Sequence, residues 1–210
     1  MGFALAGEVH ARVADSHAVT WVGLDYTLTR MYVPEPLGTP GEKVFWGPGG
    51  GLRDFVGTFD SPQDAWLRLC SDWNTMFVNE RVQSLRDDLE AKVEVALPGA
   101  CGPTRTRSDH WFDSEFERAG PMLTEADIAE RVRQYPGGTG VGYAVVVERI
   151  SKPDKAACGW PVFYDRATSA VLRTERMCVK PSGMEFRNYW FNAVAELAER
   201  GGELVRRRDW

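Results

Sequence analysis

Three stretches of the 210-residue chain bring chemically capable side chains together. In Gly23-Leu-Asp-Tyr-Thr-Leu-Thr29, Asp25 stands at the end of a hydrophobic run, where a carboxylate could serve as nucleophile or acid–base group. Asp109-His110-Trp-Phe-Asp113-Ser-Glu115 is the densest cluster of possible ligands. If it is extended, Asp113 and Glu115 share a face and His110 points the other way. As a helical turn it makes His110 and Asp113 neighbours. Either form offers two or three metal ligands at most, so the plainer reading is a solvated loop with one anchoring Trp. In Lys180-Pro-Ser-Gly-Met-Glu-Phe-Arg-Asn-Tyr-Trp190, Ser182 and Glu185 have capping-box spacing. Arg187 and Asn188 then sit in the first helical turn, whose unpaired amides can receive an anion. An Arg at that end opposes the helix dipole and calls for an acidic neighbour such as Asp25 or Glu148. The stretch reads first as a clamp joining strand end to helix start, and second as an anion pocket.

The string around Asp25 resembles the first motif of the haloacid-dehalogenase phosphatases, in which two aspartates flank one residue ahead of a Thr. Gly23 occupies the nucleophile's position, so only the second carboxylate is present, as Asp25, and no later Gly-Asp-x-x-x-Asp motif follows. A glycine cannot be phosphorylated, which removes that reaction. The string is also similar to the first phosphate loop of actin-type and sugar-kinase ATPases, but those folds need a second matched domain for which the chain lacks length. The structural expectation for Asp25 is a strand-end carboxylate facing solvent or paired with Arg30. Gly137-Gly-Thr-Gly-Val-Gly142 precedes a strand, whereas a dinucleotide fingerprint follows one. Gly47-Pro-Gly-Gly-Gly51 lacks the Lys-Ser/Thr of a P-loop. Both read as turn chemistry.

With 30 acidic and 25 basic residues the net charge is −5, which argues against a protein that grips phosphate backbones, and no nucleic acid is expected as a partner. No apolar run reaches the ~20 residues of a membrane span. Phe3-Ala-Leu-Ala6 before Gly7 has the small-residue look of a signal cleavage site without a charged n-region or full h-region, leaving the compartment open between export and cytoplasm. Cys70, Cys101, Cys158 and Cys178 show no Cys-x-x-Cys pairing, so neither zinc nor another cofactor is expected. Buried free thiols are the expected state. Cys158 and Cys178 nevertheless fall on facing arms of a hairpin, where a bridge would require an oxidising compartment.

These residues must be positioned by one α/β domain spanning 1–210. Residues 1–18 form an arm, and 34–60 and 98–121, rich in Pro, Gly or polar residues, are irregular loops. Val19, Trp21, Val22, Leu24, Tyr26, Leu28, Met31 and Tyr32 predict a first strand over 18–33. Ser61-Pro-Gln-Asp64 opens a helix carrying Trp66, Leu69, Cys70, Trp73, Met76 and Phe77 on one face. A second helix follows Asn79, then a strand over 92–97. Thr124-Glu-Ala-Asp127 caps a third helix. Val141–Ile150 is a buried central strand, 160–164 and 170–179 form an antiparallel hairpin, and a last helix ends at Gly201-Gly202. The order β-α-α-β-α-β-β-β-α gives an α/β fold, a single mixed sheet with helices packed on it.

Gly142-Tyr-Ala-Val-Val-Val-Glu148, Val162-Phe-Tyr-Asp165 to Val171-Leu172, and Gly183-Met-Glu-Phe-Arg-Asn-Tyr-Trp190 resemble a family of uncharacterised, mostly exported bacterial proteins, in which a Gly23-Leu-Asp-Tyr26-type strand and a Trp73-Asn74 pair recur in this order. The resemblance brings no catalytic residues. In architecture the late strands and closing helix are similar to small α/β modules of envelope assembly proteins, such as the amino-terminal domain of the Tol translocation propeller protein. The resulting expectation is a non-enzymatic binding or assembly module of the cell envelope or cytoplasm, working with a protein partner, a small ligand or a second copy. Eight Trp suggest an exposed aromatic patch including some of Trp46, Trp111 and Trp210. The alternative is a hydrolase or transferase acting on a phosphorylated or anionic small molecule, with Asp25, His110 and Arg187 in one pocket.

Overall fold

The apolar run after Gly140 becomes the central strand of the sheet. The computed structural model describes residues 18–32, 62–96, 122–151, 154–183 and 186–206. Among them the strands are β1 (Ala18–Asp25), β2 (Arg30–Tyr32), β3 (Lys92–Val95), β4 (Val141–Ser151), β5 (Ala156–Asp165), β6 (Val171–Thr174) and β7 (Met177–Val179). The helices are α1 (Pro62–Glu80), α2 (Val82–Leu89), α3 (Glu125–Val132) and α4 (Phe186–Arg206). The strands form one mixed sheet in the order β3-β1-β4-β5-β6, with β2 also on β4 and β7 also on β5.

The β4 strand is buried along nearly all of its length because helices cover both faces of the sheet. Two rows flank the central pair, and each is broken midway. β1 runs parallel to the first half of β4, and β2 to its last residues. On the far side, β6 and β7 pair antiparallel with opposite halves of β5. The segments expected as single strands over 18–33 and 170–179 are therefore each divided. At the first break Thr29 N–H donates to the Tyr26 carbonyl in a tight turn, and the Thr29 hydroxyl donates to the Val147 carbonyl at 2.6 Å. That hydroxyl meets an acceptor on β4 at the point where the backbone row lapses. β4 also bulges between Val147 and Arg149, leaving Glu148 without a strand partner.

Helices α1, α2 and α4 lie on one face. Leu69, Cys70, Trp73 and Phe77 of α1 pack with Trp21, Leu24, Tyr143 and Val145, together with Trp190, Phe191, Val194 and Leu197 of α4. Trp21 stacks on Phe77 with ring centroids 4.6 Å apart, and the apolar face of α1 lies on the sheet as its helical spacing predicts. On the opposite face α3 sets Ile128 and Val132 against Val22, Ala144, Val146 and Trp160. Its amino end carries the expected capping box, with Thr124 and Asp127 exchanging hydrogen bonds.

The final helix departs from expectation by running through Gly201 and Gly202 to Arg206. A side chain at Gly201 would overlap the Tyr143 hydroxyl and the Pro161 ring. The glycine lets α4 approach β4 and β5 closely, and this packing outweighs the low helix propensity of Gly. The Tyr143 hydroxyl reaches the Ala198 carbonyl at 2.5 Å across the same contact.

Candidate functional site

The connections leaving β1 and β3 place Asp25 where an α/β sheet commonly presents a site. Strands β3 and β4 lie on either side of β1 and parallel to it. The β1-to-β3 connection runs over one face through α1 and α2, while α3, between β3 and β4, covers the other. The carboxyl end of β1 is therefore a topological switch point, and Asp25 is its last residue.

Asp25 is only 1% exposed and is enclosed by donors. Its Oδ1 accepts from the Thr27 amide at 2.9 Å and the Thr27 hydroxyl at 2.6 Å. Its Oδ2 accepts from Arg131 Nε at 2.5 Å and the Tyr135 hydroxyl at 2.6 Å. Both donors of the second pair come from α3 and the turn after it, so the expected partner Arg30 is replaced by Arg131. Arg131 also lies over the Tyr135 ring and donates to Gln134. Burial, then the Asp25 charge, push the Tyr135 hydroxyl well above its ordinary pKa, so it stays a neutral donor. A carboxylate offers about four acceptor positions, and all of those of Asp25 are filled. It has no free lone pair with which to take a proton, attack a substrate or hold a metal.

Glu148, the bulged residue, repeats the pattern on the same face of the sheet. Its side chain is fully buried. Oε1 accepts from Arg176 Nη2 at 2.7 Å, both oxygens lie 3.1 Å from Arg176 Nε, and Oε2 accepts from Trp160 Nε1 at 2.8 Å. Burial alone would raise its pKa, but the hydrogen bonds from Arg176 and Trp160, the Arg176 charge and the Met122 amide outweigh it and hold the carboxyl below its ordinary value. Among the described residues Glu148 and Asp25 thus use Arg176 and Arg131 as their cations.

Of the other sequence candidates, Ser182 and Asn188 are described and neither contacts Asp25. Arg187 and Asn188 lie in the first turn of α4, on the face opposite the Asp25 carboxylate, and the Arg187 side chain lies outside the described residues. Asn188 is half-buried. Ser182 is exposed, and its carbonyl accepts from the Asn192 side chain at 2.9 Å. His110 and Asp113 lie outside the described residues, as do Trp46, Trp111 and Trp210 and the segments 1–17, 33–61 and 97–121. Among the described residues no group of His, Cys, Asp and Glu is arranged to hold a metal ion.

The glycine-rich loop holds a cation of the protein itself. Arg166, in the turn after β5, donates to the Gly137 and Thr139 carbonyls and to the Thr20 hydroxyl. A side chain at Gly138 would meet that guanidinium and oblige it to move aside.

The cysteines differ most from the sequence reading. Cys158 and Cys178 are opposite one another on β5 and β7, with Cα atoms 4.1 Å apart, and are joined by a disulfide. Cys70, fully buried on α1, is also disulfide-bonded. No free cysteine occurs among the described residues. The facing positions of Cys158 and Cys178 were legible from the hairpin; their oxidised state was not. The Trp73-Asn74 pair also acquires a physical role. Strand β3 pairs with β1 only through Trp21, and beyond it Asn74 takes the place of a strand, its Oδ1 accepting from Leu24 N–H at 2.9 Å and its Nδ2 donating to the Leu24 carbonyl at 3.0 Å.

No family model matches this chain, and no curated protein matches it. A solved structure of an uncharacterized protein aligns with 92% of this chain and 93% of its own at 16% identity, with a TM-score of 0.29, too low to support an argument from shared fold. No helix among the described residues is long and apolar enough to cross a membrane.

Proposed function

We propose that this chain is a non-enzymatic binding or assembly module, built for an oxidising compartment and working through a protein partner, which includes a second copy of itself. The observation that carries this reading is the saturation of Asp25: the carboxylate at the switch point, where a ligand or reacting group would be expected, has every acceptor position filled by Thr27, Arg131 and Tyr135. Such a carboxylate fastens α3 to the end of β1 and offers a substrate nothing. The disulfides support export, since cystines are rare where thiol buffers keep cysteines reduced. The resemblance to mostly exported bacterial proteins agrees with this.

Asp25→Asn tests the assignment. The amide keeps the shape, but whichever way it turns its NH2 group faces an obligate donor, Arg131 Nε or the Thr27 amide, where an acceptor is needed. The expected cost is about 2–4 kcal/mol, seen as a lower melting temperature. Phosphomonoester, ester and amide hydrolysis should be at blank level in both proteins. Turnover by the wild type that disappears in the variant without loss of stability would overturn the reading. Sedimentation velocity on the oxidised chain separates self-association from a requirement for a different partner.

A further inference from the structure

We infer that the Cys158–Cys178 disulfide is a site of reversible thiol exchange, at which a small thiol adds to Cys178 while the fold stays intact. The two sulfurs are unequally placed: Cys178 is exposed on β7, whereas Cys158 is fully buried on β5. Each has a guanidinium against it. Arg176 Nη1 lies 3.5 Å from Cys178 Sγ, and Arg149 Nη2 lies 3.8 Å from Cys158 Sγ. Both cations are held in place independently of the sulfurs, Arg176 by Glu148 and Arg149 by Asp154 at 3.8 Å. They therefore remain in position when the bond opens.

The chemistry follows from that arrangement. An incoming thiolate attacks the accessible Cys178 Sγ, and a new S–S bond forms between them. The Cys158–Cys178 bond breaks, and its electron pair leaves on Cys158 as a thiolate facing the Arg149 N–H. Burial disfavours that anion, and the guanidinium contact offsets the penalty. The reverse step expels the small thiol as its thiolate, with no net oxidation. The backbone pairs Ala157–Val179 and Gly159–Met177 on either side keep the two cysteines opposite each other, so resealing is intramolecular. Cys70 provides the contrast at the level of the single sulfur, because its own sulfur is fully buried and is not an atom that a thiol from solvent attacks directly.

The test uses the full oxidised chain in native buffer with excess reduced glutathione, quenched by alkylation and mapped by peptide mass spectrometry. The expected result is a glutathione adduct on Cys178, none on Cys158 or Cys70, and an unchanged far-UV spectrum. Removing the adjacent cation with Arg149→Gln should slow adduct formation by on the order of threefold for each pKa unit by which the leaving thiol rises. Arg149→Lys, which keeps the charge, should react near the wild-type rate. Adduct formation only at denaturant concentrations that unfold the chain would overturn the inference. So would modification of Cys70 at the same rate, or equal rates in wild type and Arg149→Gln. The location of the adduct in the wild type stands without any variant.

Discussion

Arg176→Met removes the only cation among the described residues in contact with buried Glu148. The carboxylate then loses three close N–H contacts, those from Nη2 at 2.7 Å and from Nε at 3.1 Å to each oxygen, and keeps Trp160 and the Met122 amide. With its side chain fully buried, Glu148 cannot turn to water. Stranding one partner of a buried pair costs about 3–5 kcal/mol, and the retained Trp160 bond argues for the lower end, about 3 kcal/mol. In urea, with a slope of about 2 kcal/mol/M, the midpoint should fall by about 1.5 M near neutral pH. Glu148→Gln combined with Arg176→Met removes both charges and should recover most of that loss. The pH dependence has a definite sign. In the wild type the lowered native pKa means that Glu148 stabilises the fold above its ordinary value of 4.5, and this contribution is lost as pH falls through the native value. In Arg176→Met burial dominates and raises the native pKa, so the penalty is full above that raised value and shrinks as pH falls toward 4.5. The gap between the proteins should therefore close in acid. A midpoint change below about 0.3 M near neutrality, or a gap that does not vary with pH, would refute the assignment of Glu148 as a buried, charged, cation-dependent residue.

Two further substitutions probe the packing that positions the site. Asn74→Ala removes the surrogate strand partner of Leu24 and leaves its N–H and carbonyl buried; the expected loss is about 2–4 kcal/mol by urea unfolding, and a loss below about 1 kcal/mol would show that water or a neighbour replaces the amide. Adjacent glycines of α4 should respond with opposite signs. Gly201→Ala forces a methyl group into Tyr143 and Pro161 and should destabilise by about 1–3 kcal/mol, while at Gly202 the nearest atoms, from Asp88 and Leu85, are 3.4 and 3.6 Å away and alanine fits. Gly202→Ala should then stabilise by up to about 1 kcal/mol through helix propensity. Melting curves that move in the same direction for both would contradict the close approach of α4 to β4.

Local pattern carried much of the architecture. The apolar run of β4, the aromatic spacing of α1, the Thr124–Asp127 box and the turn of the β5–β6 hairpin each depend on neighbours within a few residues, and each formed as expected. The interruptions at Tyr26–Thr29 and Glu175–Arg176 were hidden, because β-branched and apolar residues continue through the first and no Pro or Gly marks the second.

From its sequence alone this protein is an α/β sheet with a carboxylate at the end of its first strand and two cysteines on facing arms, since periodicity and turn chemistry act over short stretches of chain. The tertiary structure decided what those groups do. Arg131 reaches Asp25 from 106 residues away, Arg176 meets Glu148 across the broken row, and α4 continues through two glycines because Tyr143 and Pro161 fill the space beside them. Each of these outcomes depends on which strands lie side by side and on which face each helix packs. Charge pairing and close packing are set by distance in space, and spacing along the chain does not encode that distance.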